Sequence, residues 1–146
     1  MKKLTGSKEC FVCGQHDSNP RSLGLSLFWD EENKEVNIPF CPDDTWCGYS
    51  GVVHGGIIAS VLDDAMGWAA KQTIGDWSVT ADFHIRYRKP TLIGGEYVIK
   101  GRVEEVTGRK TKTTAVLLDG SGNVLADSDA VYVRKTGLRA PEAASS

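Results

Sequence analysis

No apolar run in these 146 residues approaches the ~18 needed to span a membrane, and no apolar stretch follows the charged start Met1-Lys2-Lys3. Both absences argue against a bilayer partner, and a cytoplasmic location is the expectation. A basic surplus is missing as well: 17 Lys and Arg stand against 19 Asp and Glu, a formal net charge of -2. Nucleic acid is therefore not an expected partner, and any polyanionic ligand must meet a local cluster of cations. Cysteine is sparse, with Cys10, Cys13, Cys41 and Cys47 all in the first third. Without a secretory leader, disulfides are the less favoured use of them. Cys10-Phe11-Val12-Cys13, followed by His16, is half of a tetrahedral zinc site. Cys41 and Cys47 do not follow at the spacing of a knuckle, so an ordinary packed turn is expected, with no metal and no cofactor.

What is present fits one domain large enough to bury a core without staples. Residues 1–21 read as an irregular arm closed by the Asn19-Pro20 turn, 22–136 as the folded domain, and 137–146 as a small, polar, disordered tail. Leu23, Leu25 and Leu27 alternate on one strand face, and Val36 and Ile38 answer from a second strand across the Asp30-Glu31-Glu32-Asn33 turn. A loop rich in Pro, Asp and Gly leads to His54-Gly55-Gly56, where a helix is predicted to start and run to about Gln72. Four further alternating segments follow: Trp77 to Arg88, Glu96 to Thr107, Lys110 to Leu118 and Val124 to Arg134. Two strands, one helix and a four-strand meander predict an α+β fold with an antiparallel sheet curled around the helix. Such a sheet has open edges, which favours pairing of two copies.

Inside the helix, Ile57, Ile58, Val61, Leu62, Ala65, Met66, Trp68 and Ala69 cover about half of the circumference, so other structure must wrap it. Two adjacent acids, Asp63 and Asp64, interrupt this arc. Solvation on an exposed face is one account of them; a carboxylate held at an acyl-transfer site is the other.

From about Cys10 to Val133 the chain resembles the hotdog-fold thioesterases of the phenylacetyl-CoA (PaaI-type) group. The matching residues are Cys10-Phe11-Val12-Cys13-Gly14, Asn19-Pro20, Leu23-Gly24-Leu25, Gly51-Val52-Val53-His54-Gly55-Gly56, Leu62-Asp63 and Arg86-Tyr87-Arg88-Lys89-Pro90. The resemblance implies five or six strands wrapped around one long central helix, hydrolysis of an acyl-CoA thioester, and sites at a subunit interface. It places the catalytic acid at Asp63, as nucleophile or general base. The Gly55 backbone N–H, an orphan donor at the helix start, suits the developing oxyanion. His54 would orient the thioester, and Gly56 beside it is counted among the substrate-binding residues. Two departures stand out: Gly48 replaces an Asn or Gln that helps the oxyanion site in several relatives, and Gly67 replaces a Ser or Thr one turn after the acid.

Gly55 and Asp63 lie eight residues apart on one helix, ~12 Å along its axis, whereas both must sit about 3 Å from one carbonyl group. A second copy related by a two-fold axis resolves this, so a homodimer is expected at least, and a dimer of dimers on top of it. Asp64, about 100° further round, is expected to pair with a cation or accept a supporting hydrogen bond, and is counted with the substrate-binding residues. Coenzyme A carries three phosphates, and two basic clusters are available to meet them: Arg86, Arg88 and Lys89, and the turn Gly108-Arg109-Lys110. Trp68, Trp77, Phe83 and Tyr87 are read mainly as core, with an acyl-pocket role as the alternative. The competing functions are a non-catalytic acyl-CoA-binding regulator or scaffold, which would lack the acid, and a hydratase, which would pair it with a downstream His.

Overall fold

The apolar arc is buried as α1 (Gly55–Ile74), with Ile58, Val61, Leu62, Ala65, Met66, Trp68, Ala69 and Ala70 all inside. Both ends are set by local chemistry. His54 caps the start through Nδ1, which accepts the Gly56 N–H at 2.8 Å. Gly75, with φ 75°, ends it in the left-handed conformation and donates its N–H to the Lys71 carbonyl. The helix thus runs two residues past the expected Gln72. The computed structural model describes residues 1–134, so the predicted tail at 137–146 lies outside the described residues.

Around α1 curls one sheet built from β1 (Lys2–Leu4), β2 (Leu27–Asp30), β3 (Glu35–Phe40), β4 (Val79–Tyr87), β5 (Tyr97–Thr107), β6 (Lys110–Leu118) and β7 (Val124–Val133). Its spatial order is β1-β2-β3-β5-β6-β7-β4, and every neighbouring pair is antiparallel. This is the hotdog architecture, with seven strands among the described residues rather than five or six. The added strand is β1, which arises in the stretch expected to be irregular and pairs Lys2, Lys3 and Leu4 with Trp29, Phe28 and Leu27. In compensation, the strand expected from Leu23 begins only at Leu27. Leu23 and Leu25 donate their N–H groups to the carbonyls of Phe11 and Val12 instead, which folds the arm back on itself.

The core forms where α1 lies on the sheet. Val36, Ile38 and Phe40 of β3, Ile99 of β5 and Leu117 of β6 are fully buried there. Helix and sheet approach closely at Gly101 of β5, where a Cβ would fall 2.7 Å from the backbone carbonyl of Ala65. No side chain fits between helix and sheet at that point. At the far edge, β4 pairs only with β7 among the described residues, and of its side chains Phe83 and Ile85 alone are half-buried. Cations and anions tie it down: Arg86 Nη1 reaches Asp127 Oδ1 at 3.1 Å and Asp129 Oδ2 at 3.2 Å, and Arg88 Nε also bonds Asp127. The Arg88 guanidinium, joined by Arg86, holds the Asp127 carboxyl below the usual carboxylate range.

Gly101→Ala should lower unfolding stability by about 1–3 kcal/mol, read from denaturant melts, because α1 must lift off β5 to admit the methyl group. Asp127 has a folded-state pKa below its unfolded value of about 3.9, so its contribution is present above that value and is lost as pH falls through the folded one. Stability measured against pH should therefore drop on the acid side, and Asp127→Asn should flatten that drop.

Candidate active site

At the N-terminal end of α1 a cleft of about 730 Å3 is lined by His54, Gly55, Tyr87, Arg88, Lys89 and Thr91, among others. The loop before the helix shapes it. His54 donates its backbone N–H to Trp46, and Gly48 lies so close that a Cβ there would stand 3.3 Å from the His54 Cα. Gly48 therefore supplies no polar side chain but lets the loop press against His54. Because Nδ1 of His54 accepts the capping bond, the neutral ring carries its proton on Nε2, and the exposed side chain offers that N–H outward.

Gly55 is the first residue of the helix, and its N–H has no acceptor among the described residues. Its carbonyl is held by the Tyr87 hydroxyl, which donates at 2.7 Å. That contact fixes the peptide next to the free N–H and places an aromatic ring at the cleft wall. Gly56 differs from expectation in one respect. Its N–H is already used by His54, so it offers no free backbone donor to a substrate.

Asp63 sits two turns further along α1, and the sheet holds it. Thr80 of β4 donates its hydroxyl to Asp63 Oδ1 at 2.9 Å, and Tyr132 of β7 donates to the same oxygen and to the Asp63 backbone carbonyl. Burial, and then the charge of Asp63, push Tyr132 ionisation upward, so it remains a neutral donor. With Oδ1 held by two hydroxyls, Oδ2 is left without a partner among the described residues. Gly67 now has an account: a Cβ there would lie 3.6 Å from the Tyr132 ring, so the small residue leaves room for the tyrosine. The hydroxyl that the helix lacks one turn after the acid comes from the sheet.

Asp64 is placed elsewhere than expected. It turns away from the cleft and under the N-terminal arm, where Cys10 Sγ donates to its Oδ1 at 3.5 Å. It contacts no cation among the described residues and does not line the cleft. The basic clusters separate too. Arg88 and Lys89 line the cleft, whereas Arg86 is committed to Asp127 and Asp129. The Gly108-Arg109-Lys110 turn is at the opposite end of the sheet, because Lys110 pairs with Val133, which pairs with Val79 beside Thr80. It therefore shares an end with Asp63. Arg109 donates from Nε to the Arg134 carbonyl there.

Of the aromatics, Trp68 is buried edge-on to Trp77 at 5.2 Å with Lys71 over the Trp77 ring, Phe83 packs against the core, and Tyr87 lines the cleft. Zinc ligation by His16, Cys41 or Cys47 is not assembled: His16 Nε2 is 2.8 Å from the Ser22 carbonyl, and Cys41 and Cys47 are exposed apart from the first pair. Instead, the ligand atoms of Cys10, Cys13 and Asp64 converge within 4.8 Å of one another. Thr80, Tyr132 and the Tyr87 hydroxyl bond are the additions that the sequence did not supply. The alternation of β7 put Tyr132 on one face with Ala130 and Ser128, but no local pattern links it to Asp63, 69 residues away.

Comparison with known proteins agrees with this fold. The thioesterase superfamily model matches residues 50–126, just over half of the chain. The acyl-coenzyme A thioesterase THEM4 of Xenopus laevis is 26% identical over 109 residues, which are 74% of this chain and 49% of that protein. The chain spans between 38% and 55% of the length of the curated relatives it matches. Among solved structures, the thioesterase superfamily protein RHA08564 aligns with a TM-score of 0.78 at 25% identity, over 86% of this chain and 63% of that one. The PaaI protein of the E. coli phenylacetic acid degradation operon aligns with a TM-score of 0.71 at 16% identity, over 79% and 82%, a likeness of fold. The matched residues carry the His54 turn, all of α1, β4 with Thr80, and the cleft residues from Tyr87 to Thr91, and the chain belongs to the thioesterase superfamily.

Proposed function

We propose that the protein is an acyl-CoA thioesterase whose sites are each shared by two copies. The observation that carries this reading is the separation of two prepared groups on one helix. The free Gly55 N–H opens into a cleft at the start of α1, and the doubly held Asp63 carboxylate stands ~12 Å further along. Neither group serves hydrolysis alone. A two-fold pair joined along the open edge of β4 would bring the Asp63 end of one copy to the Gly55 end of the other.

In such a pair, the thioester carbonyl oxygen accepts from the Gly55 N–H, with the helix dipole behind it, as negative charge develops. Asp63 of the other copy attacks the carbonyl carbon through Oδ2 or draws a proton from an attacking water, and the thiolate of CoA leaves. Thr80 and Tyr132 position the acid by holding Oδ1. His54 presents Nε2–H at the mouth of the cleft. Arg88 and Lys89 from one copy and the Gly108-Arg109-Lys110 turn of the other flank the site, where the phosphates of CoA need cations. The Xenopus relative's name supports the substrate class.

Asp63→Asn should cut kcat for acyl-CoA hydrolysis by roughly 10²–10⁴-fold while leaving acyl-CoA binding by calorimetry intact. An unchanged rate removes Asp63 from the mechanism, and retained binding without any wild-type hydrolysis favours a non-catalytic acyl-CoA-binding protein. Gly55→Pro removes the N–H at a helix start whose backbone admits proline, because His54 already has φ -61° and ψ 132°, and the added Cβ would stand 3.3 Å from the Tyr87 hydroxyl, which must shift slightly. Mixed and re-equilibrated one to one with Asp63→Asn, it should restore about a quarter of wild-type activity, since half the dimers are mixed and each has one intact site. Absence of recovery would sink the shared site. Tyr132→Phe should lower kcat by about tenfold, with KM little changed, the loss of one hydrogen bond that positions the acid.

A further inference from the structure

The cluster of Cys10, Cys13 and Asp64 plays no part in thioester hydrolysis, yet it is built with care. Cys10-Phe11-Val12-Cys13-Gly14 forms a tight turn in which Cys10 Sγ accepts the backbone N–H groups of Val12 at 3.3 Å and Cys13 at 3.5 Å. Amide donors aimed at sulfur favour a thiolate over a thiol. The turn has little freedom. Gly14 donates to the Cys10 carbonyl, and a Cβ on it would fall 2.3 Å from that oxygen and 2.7 Å from the Lys8 carbonyl. Cys13 is buried, and a Cβ on Gly6 would come within 2.9 Å of its sulfur.

From below, α1 supplies Asp64. Part of this residue reaches solvent, but the carboxylate points inward, and Oδ2 is sealed off without a hydrogen-bond partner. Burial, followed by the negative charge of Cys10, pushes the Asp64 carboxyl well above its usual range, whereas Cys10 is drawn down to about 6, first by Cys13. Cys13, hydrogen-bonded to Cys10 and buried, is pushed upward as well, so three acidic groups meet with protons retained on two of them and no cation of the protein beside them among the described residues. Such a cluster is costly unless a cation or protons neutralise it.

We propose that Cys10, Cys13 and Asp64 bind one divalent transition-metal ion of the zinc class, which pins the N-terminal arm to the central helix. Two thiolates and a carboxylate are a donor set that suits zinc. Ligands at about 2.3 Å and 2.0 Å from a tetrahedral ion lie ~3.5 Å apart, which is the observed separation of Cys10 Sγ and Asp64 Oδ1. All three donor atoms lie within 4.8 Å of one another, so a small inward movement completes the coordination. On binding, the ion displaces the protons carried by the two sulfurs and the carboxyl into solvent, and a water takes the fourth position on the side where Cys10 is half-exposed. A disulfide would use the two sulfurs and leave the Asp64 carboxylate without a counter-ion. A metal ion engages all three residues. The site borders Asp63 in sequence, yet it rests on neither the thioesterase reading nor a shared dimer site.

The test is cobalt and zinc binding to the reduced full chain, stripped first with chelator. One equivalent of Co2+ should give thiolate-to-cobalt charge-transfer bands and the visible bands of a tetrahedral ion, and one equivalent of Zn2+ should bleach them. The double variant Cys41→Ser with Cys47→Ser should keep the signal, Cys10→Ser and Cys13→Ser should abolish it, and Asp64→Asn should weaken zinc by at least about tenfold. Zinc should also raise the wild-type melting temperature. Should the variants fail to fold, alkylation of native wild type with and without zinc decides the matter, because zinc must protect Cys10 and Cys13 and spare Cys41 and Cys47 no modification. Reduced, folded wild type that takes up no Co2+ or Zn2+, bands that survive Cys10→Ser, or equal alkylation of Cys10 and Cys13 with and without zinc would each overturn the proposal.

Discussion

The fold hangs on a contact without side chains. At Ala65 and Gly101 the helix and the sheet meet through their backbones, closer than any Cβ permits. This approach sets the depth at which α1 lies in the curl of the sheet, and so the reach of everything that crosses between them. Tyr132 and Thr80 meet Asp63 from the sheet only because the two layers are held at that distance. Apolar burial of Val36, Ile38, Ile99 and Leu117 supplies the driving force, but it is non-directional and does not fix the spacing.

The two adjacent acids show how one helix serves two neighbours. A step of about 100° turns Asp63 toward β4 and β7 and Asp64 toward the turn at Cys10. The first carboxylate is held through one oxygen by hydroxyls, an arrangement that orients without neutralising. The second is sealed in beside sulfur. Exposed-face solvation explains neither. A helix with this much apolar surface has no dry side on which to place an acid unless the surrounding structure provides donors, and here both the sheet and the arm do.

Much of this was legible in the sequence because it is periodic or local. The apolar arc located α1, the alternation located β3, β5, β6 and β7, and the resemblance carried by His54-Gly55-Gly56 and Leu62-Asp63 indicated the hotdog arrangement that the fold and the family match bear out. What escaped is what depends on distant pairing. β1 has too few residues to show a period, and Leu23 and Leu25 alternate as a strand would while spending their N–H groups on the arm. The partners of Asp63 come from 17 and 69 residues away, and the partner of Asp64 from 54. Gly67 looked like the loss of a hydroxyl. Only the position of the Tyr132 ring shows that the space was needed.

The strand order has a further consequence, for the sequence of events in folding. β4 follows the helix directly in the chain, but among the described residues its only partner is β7, which comes after β5 and β6 in the chain. Pairings across such a sequence separation carry a large loop-closure cost and form late. The hairpins β2–β3 and β5–β6 can assemble as soon as they exist, whereas the hydroxyls that orient Asp63 arrive only when β7 docks and draws β4 against it. A chain still growing on the ribosome therefore has a wrapped helix before it has an oriented acid.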